Sequence, residues 1–273
     1  MVFLLTATIL LTSVRHVNAH PMKFRFTALF VLTALASFAQ LKGAEWGFGY
    51  IFSSPQGTMS QNVKQAHGGN LDFYVTPANK RYAIGFEMSV NGYGHNKKRE
   101  TYTFDDGSTA PMDIVVSNNF YNFMLAGRYF LSTGKIQPFV TGKMGYSLYA
   151  TSLNIYDPDD WDHCEPIDND MLKHDGTIIF AAGGGLRWEM LPKKSTGRFY
   201  FNLSANYLSG GKVNYMNVDA PANAQHQPTP TSDVYAKFLN TQTQMVHEHH
   251  VGNVYTSLVE MMDFRLGMTI RLQ

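Results

Sequence analysis

The chain is poor in charge and has almost no cysteine. Lys and Arg number 22 and Asp and Glu 21 in 273 residues, or 16% together, against about 25% in an ordinary soluble domain. The net charge of +1 gives no support to a nucleic-acid binder, which needs a basic surface. Cys164 is the only cysteine, so an intrachain disulfide and an all-cysteine metal site are both excluded. After Ala39 no apolar run approaches the roughly 18 residues of a membrane helix. No Gly-rich phosphate loop joins a strand to a helix; Gly183-Gly184-Gly185 reads instead as crowding and closure of a barrel wall. What the chain does hold in quantity is glycine, 23 residues, and aromatics, 14%.

The N-terminus reads as a targeting segment. From Met22, basic Lys23 and Arg25 precede an apolar run over 26–36, and Ser37-Phe38-Ala39 supplies the small residues a signal peptidase reads. A second apolar run over 2–11 closes with Val17-Asn18-Ala19 and reads as an upstream extension, with Met22 the true start. Residues 1–39 are thus expected to be leader and signal peptide, and 40–273 one exported domain.

Period-two alternation dominates from Glu45 onward. Trp46, Phe48, Tyr50 and Phe52 alternate with mostly glycine, and Leu71, Phe73 and Val75 continue the pattern. Further runs follow at 82–91, 121–129, 140–148, 180–189, 199–207 and 263–272, which makes eight predicted strands. Short turns fall at 77–81, 132–135 and 192–197, and long loops near 54–69, 93–113, 150–176 and 209–253. Short turns at one end and long loops at the other are the layout of an outer-membrane barrel. A lipocalin-type soluble barrel also alternates, with its apolar face inward. Here the second face is Gly, Ala, Ser, Asn and Thr with few charges, which suits a crowded lumen better than a water-facing wall. The long last loop has room for an extra hairpin, so ten strands are the alternative to eight.

On these residues the chain resembles the OmpA-like, eight-stranded outer-membrane β-barrel family in its Bacteroidetes form. The resemblance is carried by Ser37-Phe38-Ala39-Gln40, by Gln137-Pro-Phe-Val-Thr-Gly-Lys-Met-Gly-Tyr146 and by Phe180-Ala-Ala-Gly-Gly-Gly-Leu-Arg187. The last strand, Arg265-Leu-Gly267-Met-Thr-Ile270-Arg-Leu272, is similar to the signal read by the barrel-assembly machinery but ends in Gln273 without a terminal aromatic. The resemblance covers roughly 45–273. It implies an all-β transmembrane up-and-down barrel in the outer membrane of a Gram-negative bacterium. It speaks to architecture more than to function.

Three constellations could carry chemistry. Glu87, Arg128, Lys143, Arg187, Glu189, Asp263, Arg265 and Arg271 all fall on the predicted inward face, where charges must pair; they are expected to form an ion-pair network that plugs the lumen, or else a gate whose pairs exchange. The eight mature-chain histidines, His67, His95, His163, His174, His226, His247, His249 and His250, are all expected in external loops. His247, His249 and His250 are dense enough to suggest a transition-metal site but lack the spacing of a zinc-protease helix, so a solvated loop tip is the default. The third is the acidic run Asp157, Asp159, Asp160, Asp162, Glu165, Asp168, Asp170 and Asp175. Asp157, Asp159 and Asp162 are its calcium candidates, although it lacks the Gly and closing Glu of an EF-hand. Lys97-Lys98-Arg99 is expected to pair with that run, or the run to bridge lipopolysaccharide phosphates through divalent ions.

A lipid-acting triad would have to draw on His67 or His95, with no Ser and acid aligned to them in the sequence. The reading is therefore a non-enzymatic monomeric barrel with a side-chain-filled lumen and no cofactor, serving envelope structure and surface interaction through its external loops. Its partners would be outer-membrane lipid and lipopolysaccharide, the assembly machinery and an unidentified external ligand, with no nucleic acid. A narrow channel gated by lumen ion pairs is the alternative, followed by a lipid-modifying barrel enzyme and a soluble carrier.

Overall fold

A computed structural model of the chain describes residues 43–77, 81–103, 107–159, 166–190, 197–218, 232–240 and 245–272. The expected leader, 1–39, lies outside them. Nine strands are present among the described residues: β1 (Ala44–Pro55), β2 (Ala66–Val75), β3 (Tyr82–Thr103), β4 (Thr109–Phe130), β5 (Ile136–Tyr156), β6 (Asp168–Glu189), β7 (Gly197–Asn217), β8 (Ser232–Asn240) and β9 (Met245–Leu272). All neighbouring pairs are antiparallel, and β9 pairs with both β7 and β1. Eight strands, β1 to β7 and β9, therefore close a barrel.

The alternation is resolved by which face each residue takes. Phe48, Leu71, Ile84, Leu125, Phe180, Leu203 and Leu266 stand exposed on the outside. Glu45, Glu87, Asn122, Lys143, Asn206 and Asp263 are buried inside. A lipocalin-like carrier needs the opposite arrangement. β1 and β2, of 12 and 10 residues, match the roughly 9–11 residues a tilted strand uses to cross a bilayer. Tyr82, Tyr129 and Trp188 sit at one rim of the apolar band and Tyr50, Tyr146 and Tyr207 toward the other, as interfacial aromatics do.

The other barrel strands are far longer, 21 to 28 residues, and this corrects the expectation of long loops. Much of 93–113, 150–176 and 209–253 is strand. The alternation signal fades there because neither face meets lipid, so polar residues such as Ser152 and Asn154 serve on a strand. The long last connection holds one additional strand, β8, outside the closed barrel. Asn253 and Val254 pair with β7 and with β8 together, so β8 lies on the side of β9 that β1 occupies lower down.

Above the band the wall separates into two sheets. The β6–β7 ladder stops at Ile179 and Gly210, while β6 continues on β5 and β7 continues on β9. The result is a tower of β3-β4-β5-β6 on one side and β7-β9-β8 on the other. Register shifts between Gly92 and Gly94, opposite Thr151 and Ser152, and between Ser209 and Lys212 lie near this level, where an extra residue bends a strand and re-aims it. Val116, Leu153 and Val218, backed by Ile114, Leu172 and Val251, fill the space between the sheets.

The seam can be tested by cross-linking. A Cβ placed on Gly211 would stand 3.7 Å from that of Thr177, inside the range of about 3.5–4.5 Å that a disulfide needs. Thr177→Cys with Gly211→Cys, in a Cys164→Ser background, is expected to oxidise without added catalyst and give a faster-migrating, reductant-sensitive band. A seam that stays reduced in the folded protein would contradict this packing.

Candidate functional site: the lumen and its mouth

Seven of the eight predicted lumen charges fall into two separate layers of the inner wall, and Glu189 stands apart from both. In the central layer Glu87 is the hub. Its Oε2 accepts from Lys143 Nζ at 2.6 Å and from Arg265 Nη1, and its Oε1 accepts from Arg128 Nη2 at 3.0 Å and from the Tyr74 hydroxyl. Arg128 also reaches Asp72 at 3.2 Å, and Arg265 reaches Asp263 at 3.4 Å. Asp263 accepts a second bond, 2.6 Å, from Ser53 Oγ. Three carboxylates thus face three cations, which satisfies the demand that buried charge be paired. The Arg128 guanidinium further lies 3.9 Å above the Tyr74 ring, a favourable cation–π placement.

The second layer sits nearer the chain ends of the barrel, around Glu45. Arg187 donates to both Glu45 oxygens, at 2.7 and 3.2 Å, and Arg271 approaches at 3.5 Å. Thr76 Oγ1 donates at 2.9 Å. The Arg187 guanidinium lies between the rings of Tyr200, at 3.7 Å, and Phe130, at 4.7 Å. Glu189 joins no lumen hub; Arg198 is its ion-pair partner, at 3.8 Å. Sequence reasoning missed Glu45, Asp72 and Tyr74, although the alternation of β1 and β2 places all three on the inner face.

The opposite mouth closes without charge. Phe120 and Tyr149 stack at 5.3 Å, with Tyr93, Tyr215 and Tyr255 around them. The β1–β2 connection turns back onto this cluster and buries Met59 and Val63 in it. It is fastened by Gln56 N–H to Glu260 C=O at 2.8 Å, by Asn62 Nδ2 to the Tyr215 hydroxyl at 3.1 Å and by Asn217 Nδ2 to the Asn62 carbonyl. Nothing in its sequence announced this, since two apolar residues four apart in a polar loop carry no periodic signal.

The tower carries the other predicted residues. His95 is in β3, His174 in β6 and His247, His249 and His250 in β9, and His67, below the tower, is the second residue of β2, which corrects their expected place in loops. His163 and His226 lie outside the described residues, as do Cys164, Asp160, Asp162 and Glu165. Among the described residues no group of His, Cys, Asp and Glu is arranged to hold a metal. Asp157 accepts from the Asp159 amide at 2.9 Å.

Lys97 and Arg99 bond Asp113 of their own hairpin, at 2.9 and 2.8 Å, rather than pairing mainly with the acidic run. Hydrogen bonds from Arg99 and then Lys97 hold the Asp113 carboxyl well below the usual carboxylate range. His95 Nδ1 lies 3.2 Å from Ser117 Oγ, a serine the sequence did not align with it; Asp113 of that hairpin is held by Arg99 and Lys97.

No protein-family model matches the chain, and no curated protein matches it. Among solved structures it is similar to Neisserial surface protein A, at 9% identity over 85% of this chain and 97% of that one, with a TM-score of 0.42. It is also similar to Ail, the attachment invasion locus protein of Yersinia pestis, at 11% identity over 85% and 100% of the two chains, with a TM-score of 0.40. A major outer membrane protein from Thermus thermophilus matches at 11% identity over 84% and 99%, with a TM-score of 0.34.

Proposed function

We propose that this chain is an outer-membrane barrel whose lumen is permanently closed and whose work is done by the tower above it, in envelope structure and surface interaction. The observation that carries this reading is the succession of three seals along one narrow lumen: the Glu45 layer, the Glu87 layer and the aromatic cluster under Met59 and Val63. An eight-stranded barrel is just wide enough for its side chains to fill it, and a solute would have to part all three seals. The exposed apolar band supports a place in the bilayer, with lipid and lipopolysaccharide as the surrounding partners and the barrel-assembly machinery reading β9. In this reading the barrel acts as a monomer and as a scaffold rather than an enzyme.

Purified chain in planar lipid bilayers is expected to give no stepwise conductance at moderate voltage. Discrete channel events from the intact protein would overturn the closed-lumen reading and favour a narrow gated channel.

A further inference from the structure

We propose that Arg198 and Arg271, at the chain-end mouth of the lumen, hold a phosphate group. They stand directly opposite each other on β7 and β9. Cross-strand partners share a face, and Tyr200 and Thr269, the next pair of that face, are buried inside the barrel. Like charges directly opposite destabilise a strand pair, so the two guanidinium groups call for an anion between them. The acids at hand serve them only at a distance. Glu45 spends both oxygens on Arg187, at 2.7 and 3.2 Å, and meets Arg271 at 3.5 Å. Glu189 lies 3.8 Å from Arg198, and its Oε1 accepts no hydrogen bond among the described residues. A charge-assisted hydrogen bond is about 2.7–2.9 Å long, so both arginine forks keep donors to spend.

The charge at this end names the ligand. Arg81 and Lys135 immediately precede β3 and β5, and their carbonyls accept from the Phe130 and Glu189 amides at 2.7 and 2.8 Å. Among the described residues the end thus sets Arg81, Lys135, Arg187, Arg198 and Arg271 against Glu45 and Glu189. The joining segments 78–80 and 191–196 hold Lys80, Lys193 and Lys194 and no acid. One carboxylate would leave most of that surplus standing. A phosphate group brings close to two negative charges and several strong acceptor oxygens, which guanidinium forks match in pairs. The central layer makes no such demand, because its three cations meet three carboxylates. Its Arg128 and Arg265 side chains are each 8% exposed, whereas Arg198 is 21% and Arg271 11% exposed. A free phosphate ion and the headgroup of a phospholipid at the rim present the same group to this pair.

The site stands on the geometry of the barrel and not on the closed lumen, so conductance with phosphate binding intact would sink only the closed-lumen reading. The test uses the purified chain in dodecyl maltoside micelles, which carry no phosphate, at constant ionic strength. Inorganic phosphate is the probe, read by the side-chain Nε–H resonances of arginine. Those of Arg198 and Arg271 are expected to move saturably, half-way at about 1 mM or below, while that of Arg99 in the tower stays. Acetate should need about tenfold more or worse. Arg198→Gln and Arg271→Gln should each raise the half-saturation about tenfold or more, the loss of a charge-assisted hydrogen bond, and Arg99→Gln should leave it unchanged. Where a variant fails to fold, the wild-type titration decides. Phosphatidylglycerol added to the same micelles separates the sources: resonances that move with the lipid identify a headgroup, and resonances that move only with inorganic phosphate identify a free ion. Movement that never saturates, or that acetate matches at equal concentration, would mean ionic screening only and overturns the proposal. So do resonances that neither phosphate nor phosphatidylglycerol moves.

Discussion

Glu87→Gln is expected to destabilise the folded barrel by about 3–5 kcal/mol, the cost of removing one partner from a buried ionic cluster. The amide keeps the shape of the side chain but takes away the charge that Lys143, Arg265 and Arg128 share at 2.6 to 3.0 Å or closer. Asp72 and Asp263 remain, so three cations would face two carboxylates inside the barrel wall. The excess sits on Lys143, whose ammonium has Glu87 as its ion-pair partner. Glu87→Gln combined with Lys143→Met should therefore recover much of the loss, because Arg128 keeps Asp72 and Arg265 keeps Asp263. Urea unfolding of wild type, both single variants and the double, in lipid vesicles, measures the coupling. Strictly additive losses would show that Glu87 and Lys143 do not act as a pair.

What was legible in the sequence depended on lipid. Inside the bilayer a strand must put apolar residues outward and small or paired polar residues inward, so Ile84 and Glu87, or Leu266 and Arg265, declare their faces by parity alone. Once the strand leaves the bilayer that requirement ends. Ser152 and Asn154 of β5, or Asn169 of β6, carry no mark of being strand, and the tower reads as loop. The eight lumen charges were legible as a set because parity assigns each one to the inside. The division of seven of them into two layers was not, since it depends on strand register. Glu87, Lys143 and Arg265 come from β3, β5 and β9 and meet only after the sheet has closed. The closure of the mouth by Met59 and Val63 is a tertiary event with no local pattern behind it.

Glu45 was missed because it stands one residue before the aromatic run that starts at Trp46, and its removal is expected to have the second-largest effect. Arg187 and Glu45 are each 1% exposed. Glu45→Gln would leave Arg187 with two aromatic faces and no carboxylate, and Arg271 without its partner at 3.5 Å. A loss of about 3 kcal/mol or more follows for an uncompensated buried cation. Arg187→Met is expected to cost less, about 1–2 kcal/mol, because replacing a charged partner by an apolar one of similar length keeps the packing against Tyr200 and Phe130. Glu45 would then still hold Arg271 and the Thr76 hydroxyl. The asymmetry is the test: one carboxylate serves two guanidinium groups, so losing the anion strands both cations while losing one cation strands nothing. Urea midpoints that place Arg187→Met at or below Glu45→Gln would show that Arg187, through its ring contacts, holds this end of the barrel together and that the carboxylate is secondary.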